Sequence, residues 1–101
     1  MIVQEEITVS GERVKLRPYT ERRLSQLVEI QQEIQEYIEA NPEMGFDEID
    51  KKKVAKWWKR KAEVLWETQE PLPLSFFESP DFEVTWLKKS EDFFLASRVY
   101  L

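Results

Sequence analysis

Seven basic side chains and two tryptophans fall within eleven consecutive positions, Lys51-Lys52-Lys53-Val54-Ala55-Lys56-Trp57-Trp58-Lys59-Arg60-Lys61, with no acid among them. Such a block supports two chemistries. Lys52, Lys53, Lys56, Lys59 and Arg60 can contact phosphates while Trp57 stacks on a base. The same helix can also lie on an anionic membrane surface. A plainer reading puts Trp58 in the core and leaves the lysines as a solvated face.

Carboxylates supply a second group. Glu29, Glu33 and Glu36 could bind a divalent ion or share a proton, but they recur opposite an apolar stripe, where a solvated helix face is the ordinary explanation. The rest of the catalytic repertoire is thin. The chain has no histidine and no cysteine, so the commonest general base and metal ligand are missing, as is any thiolate nucleophile. Its two glycines, Gly11 and Gly45, are too far apart for a phosphate-cradling loop. The residues therefore predict a protein that is not an enzyme and carries no cofactor or metal.

Aromatic side chains are the third group. Four tryptophans, three tyrosines and six phenylalanines exceed what a core of this size needs. Trp57, Trp66, Phe76, Phe77, Phe94 and Tyr100 are the candidates for exposure, where an uncovered aromatic patch would mark a protein interface; equally, a small domain can cover its core with aromatic connectors.

These groups must be held by local elements. Residues 1–18 read as a β-hairpin. With Gly11-Glu12 as a type II′ loop, Val9 faces Val14, Ile7 faces Leu16, and Glu6 pairs with Arg17 on the opposite side. Pro18 stops the second strand. Thr20 then caps an acidic helix over 20–40, whose stripe is Leu24, Leu27, Val28, Ile34 and Ile38, bordered by Ile30 and Tyr37. Asn41-Pro42 ends it, and Met44-Gly45-Phe46 forms a turn.

Asp47 is expected to open a basic amphipathic helix over 47–69. At 100° per residue, Val54, Trp58, Ala62 and Leu65 share one stripe, and Pro71 marks the end. A connector rich in proline and aromatic residues spans 70–79. Ser79-Pro80-Asp81 reads as the start of a C-terminal helix over 80–98, although Phe82 to Trp86 also alternates like a strand. The expected fold is mostly helical α+β: an N-terminal hairpin followed by two or three amphipathic helices.

With 101 residues, one domain is expected. The formal charge of −5 is uneven. The basic block sits between two acidic stretches, so it can recruit an anionic partner or neutralise its neighbours. No apolar run reaches the roughly 20 residues of a membrane span, and Met1-Ile2-Val3-Gln4-Glu5-Glu6 lacks the basic start and apolar middle of a signal peptide. A cytoplasmic location is expected.

The run Ile7-Thr8-Val9-Ser10-Gly11-Glu12-Arg13-Val14-Lys15-Leu16-Arg17-Pro18-Tyr19-Thr20, followed by Leu24, Leu27 and Ile30, resembles the start of the small tail assembly chaperones of tailed phages. Those proteins open with a short hairpin, a Leu-Arg-Pro-x-Thr segment and an acidic amphipathic helix. Leu74-Ser75-Phe76-Phe77-Glu78 and Asp92-Phe93-Phe94 are compatible with their helical remainder. The resemblance implies a phage or prophage accessory protein that binds the tail tape-measure protein and keeps it soluble. The Lys51–Lys61 block departs from that pattern, so no family site is carried over. A protein partner is thus the first expectation, with self-association compatible, and a nucleic-acid-binding protein using the basic helix is the alternative.

Overall fold

The computed structural model describes residues 6–80, 82 and 84–98. Strands β1 (Glu6–Val9) and β2 (Glu12–Leu16) form the expected hairpin, but in a different register. The loop is Ser10-Gly11, so Val9 lies opposite Glu12 and Ile7 opposite Val14. Both loop residues have positive φ, 48° for Ser10 and 84° for Gly11. That is the backbone of a type I′ turn, whose twist matches that of the flanking strands. The expected and observed registers differ by two residues, so both keep Ile7, Val9, Val14 and Leu16 on one face. Turn geometry decides between them. Glu6 accordingly pairs diagonally with Arg13, at 3.3 Å, and not with Arg17.

Helix α1 (Glu21–Ala40) starts as the sequence indicates, with the Thr20 hydroxyl accepting a hydrogen bond from the Arg23 backbone N–H. Its buried stripe is Leu27, Ile30 and Ile34, flanked by half-buried Leu24 and Tyr37. Val28 and Ile38, expected in the core, face outward. The buried face is rotated toward Ile30 because the partner helix packs on that side.

That partner is α2 (Lys51–Leu65), shorter at both ends than the expected 47–69. Asp47 lies in a 3-10 turn, Phe46–Glu48, and Asp50 is the residue that caps α2, accepting from the Lys52 N–H at 2.9 Å. The extended Ile49 between them turns its side chain into the core. At the other end the chain leaves the helix directly into a third strand, β3 (Trp66–Glu67), which pairs antiparallel with β2 through Leu16–Trp66 and Lys15–Glu67. The Arg17 backbone N–H donates to the Leu65 carbonyl at 2.8 Å, and the Arg17 Nε donates to the Trp66 carbonyl at 3.0 Å. Sheet pairing ends α2 before Pro71 can.

The stretch expected as a connector contains a short helix, α3 (Leu74–Glu78), and α4 (Val84–Ser97) begins later than Ser79-Pro80 suggested. Ser79 closes a turn instead, its carbonyl accepting from the Phe82 N–H. Asp81 lies outside the described residues. α2 is the central element and touches α1, α3, α4 and β3. The architecture is mostly helical α+β.

Candidate protein-binding surface

The basic helix is not a free cationic face. Lys61 is 7% exposed, and its Nζ donates to Gln31 Oε1 of α1 at 3.0 Å while lying 3.5 Å from Glu91 Oε2 of α4. Arg60 forms an ion pair with Glu33 of α1. Lys53 sits over the rings of Tyr37 and Trp57, 4.7 and 5.5 Å from their centroids. Lys52 and Lys56 are exposed, and Lys59 is half-buried at the edge of a cleft.

Trp57 is 2% exposed and meets the Tyr37 ring edge-on at 5.5 Å. It cannot stack on a base in this conformation. The cause is the wide apolar face of α2, which is enclosed by helices on more than one side.

The other aromatic candidates for exposure are also drawn inward. Trp66 is buried, and its indole Nε1–H donates at 2.8 Å to the Ser90 hydroxyl, which in turn donates to the Trp86 carbonyl. The indole is thus fully satisfied inside the protein. Phe77 is buried and Phe76 half-buried in a cluster with Phe82, with ring separations of 5.1 to 5.7 Å. Phe94 is buried against Tyr19, at 5.1 Å. Tyr100 lies outside the described residues. A small sheet cannot roof this core alone, so the aromatics of β3, α3 and α4 fill it.

The acidity of Tyr19 is displaced. Burial pushes its phenol above the usual tyrosine range, its hydrogen bond to Glu21 Oε1 adds to the rise, and Arg98 opposes it.

The exposed large apolar side chains among the described residues are Val28, Ile38, Met44, Phe46, Val84 and Leu95, of which Ile38 lies in the last turn of α1 and Met44 and Phe46 in the segment that joins α1 to α2. Ile38, Met44 and Phe46 are 36%, 38% and 45% exposed. The Phe46 ring lies 6.0 Å from that of half-buried Trp58. Glu39, Glu43, Asp47 and Glu48 of the same stretch are exposed, and Lys51, Lys52 and Lys53 follow in the first turn of α2, with the Lys61 ammonium 5.9 Å from the Trp58 ring. The sequence signal for these residues was present but disguised. Ile38 fell on the apparent core stripe, and Met44 and Phe46 looked like turn residues.

A cleft of about 390 Å³ lies beside β3. Ala62, Trp66, Leu72 and Phe77 line it together with the charged Arg17, Lys59 and Glu63. Its chemistry is that of an apolar recess lined also by charges of both signs. Among the described residues, no group of three or more carboxylates is placed to hold a metal ion, and no helix is long and apolar enough to cross a membrane. The chain matches no protein-family model, no curated protein and no solved structure at a significant level.

Proposed function

We propose that this chain is a non-enzymatic, protein-binding accessory protein of phage or prophage origin, acting in the cytoplasm as the tail assembly chaperones it resembles do. In that role it would hold the tail tape-measure protein soluble while the tube assembles. The observation that supports this best is the exposure of the apolar side chains Ile38, Met44 and Phe46 at and after the end of α1. Exposed apolar side chains, such as Phe46 with its ring 6.0 Å from that of half-buried Trp58, are the kind of surface a protein interface uses. The net negative charge suits a protein that must keep an apolar client dispersed.

The nucleic-acid alternative is less well supported. It needs an exposed Trp57 and free cations at Lys52, Lys53, Lys56, Lys59 and Arg60. Trp57 is buried, Arg60 is paired with Glu33, and Lys53 is engaged by aromatic rings.

Co-expression separates the two. The tape-measure protein of the same genome should stay in the soluble fraction when this chain is present and precipitate when it is absent. Changing Lys56, Lys59 and Arg60 together to alanine should leave that protection largely intact. A tape-measure protein that precipitates equally with and without the chain would overturn the reading.

A further inference from the structure

We infer that β1 is a self-complementary sheet edge, on which β1 of a second copy of this chain adds antiparallel and joins the two three-stranded sheets into one. The inference stands apart from the tape-measure reading and concerns a different surface.

The sheet runs β1-β2-β3, so β1 and β3 are its edges. The backbone of β2 serves both neighbours in alternation. The Arg17 N–H donates to the Leu65 carbonyl on the β3 side, and groups facing one neighbour recur at every second residue of an antiparallel strand. Arg13 and Lys15 therefore also face the β3 side. Glu12 and Val14 face β1, where they lie opposite Val9 and Ile7. Ile7 and Val9 thus give their backbone groups to β2, and the N–H and C=O of Glu6 and Thr8 point outward from the sheet. Among the described residues, neither finds another backbone partner.

The two edges are built differently. β3 is two residues long, the Thr68 hydroxyl donates to the Glu70 carbonyl at 2.6 Å in the turn beyond it, and Pro71 and Pro73 follow. Short strands and prolines are what keep an edge from pairing. β1 contains neither proline nor lysine, and its register with β2 runs on without a bulge. Its packing against other elements is chiefly with β2.

The edge fits a second copy of itself. In antiparallel pairing, the outward groups of Glu6 and Thr8 must meet outward groups of the added strand. With Ile7 opposite Ile7 of the second copy, Glu6 meets Thr8 and Thr8 meets Glu6, and each of these pairs exchanges both N–H···O bonds. The slipped registers are poorer. Glu6 opposite Glu6 sets like charges side by side, and Thr8 opposite Thr8 leaves Glu6 facing Ser10 in the turn. Val9 is wholly buried and Ile7 half-buried, so Ile7 is the apolar side chain of β1 with surface left to cover. The chosen register places the two isoleucines together on the core side, across a two-fold axis perpendicular to the sheet.

The chain has no cysteine, so one introduced thiol reports cleanly on the pairing. Opposed residues of a non-hydrogen-bonded antiparallel pair have Cα atoms about 4.5 Å apart, within disulfide range. Under mild oxidation Ile7→Cys should form a covalent dimer at least about tenfold faster than Thr8→Cys, whose equivalent in the second copy lies diagonally, about 7–8 Å away. Random collision predicts the opposite order, because Thr8 is exposed and Ile7 half-buried. Sedimentation velocity on the unaltered chain should show weak dimerisation, with a Kd on the order of 0.1–1 mM, because so narrow an edge covers less than the roughly 1,000 Å² of a stable interface. Thr8→Pro removes an outward N–H and no ladder bond within the chain, so it should weaken association at least about tenfold. Circular dichroism of that variant reports whether the fold is kept.

A chain that stays monomeric at about 1 mM would overturn the inference. Cross-linking of Thr8→Cys as fast as Ile7→Cys would do so too, as would a dimer that a folded Thr8→Pro chain forms unchanged. None of these results bears on the co-expression assay, which decides the tape-measure reading by itself.

Discussion

Lys61 of α2 reaches Glu91 of α4, Nζ to Oε2 at 3.5 Å, from a position where its own side chain is almost wholly enclosed. The same ammonium donates to Gln31 of α1 at 3.0 Å, so one cation joins three helices. A buried charge of this kind stabilises little by itself, because desolvation cancels much of the attraction. Its partners matter because losing one leaves the charge uncompensated.

Glu91→Gln should therefore lower the unfolding free energy by about 1 kcal/mol, a modest figure because Glu91 remains partly in water. Lys61→Met, which removes the charge and keeps the stem, should be neutral or stabilising. Urea denaturation of both variants checks this. A Lys61→Met loss larger than that of Glu91→Gln would show the ion pair to be a net source of stability.

The Trp66–Ser90 hydrogen bond gives a second expectation. Ser90→Ala leaves the Trp66 indole N–H buried without an acceptor, which costs about 1–3 kcal/mol. In a Trp66→Phe background the same serine change should cost clearly less, because no donor is stranded. A double-mutant cycle measures the difference, and simple additivity would mean that the bond contributes nothing specific.

Tyr19 predicts the alkaline limb of stability. Its phenol is harder to ionise in the folded chain, so the folded state favours the protonated form. The contribution is complete below the unfolded tyrosine value of about 10 and is lost as pH rises through the higher folded value. Stability should fall above about pH 10, and Tyr19→Phe should flatten that fall. Denaturation midpoints across the alkaline range provide the check. Parallel curves for the two proteins would assign the fall to other groups.

The residues differ in how much they reveal on their own. Alternation identified the apolar hairpin face, because Ile7, Val9, Val14 and Leu16 alternate with polar residues whichever register is chosen. It could not fix the register, since a two-residue slip preserves the face and only the turn at Ser10-Gly11 distinguishes the options. The Thr20 cap and the extent of α1 were readable because a cap is a local interaction. β3 was not, because Trp66-Glu67 continues a helical pattern and becomes a strand only through pairing with Lys15 and Leu16.

The surface was the least legible part. Aromatic count says how much must be buried somewhere, not which rings are left over. Trp57, Trp66, Phe77 and Phe94 went inside because α2 is enclosed by other elements. Among the exposed apolar residues, Val28 and Ile38 fell on the apparent core stripe and Met44 and Phe46 in an apparent turn.

The proposed protein-binding role predicts a partner at the exposed surface around Phe46. A photoreactive phenylalanine analogue placed at position 46, and in a parallel protein at position 56 on the exposed basic face, tests this directly when the chain is co-expressed with the proposed tape-measure partner. Position 46 should cross-link to the partner and position 56 should not. Cross-linking from position 56 with none from position 46 would contradict the account.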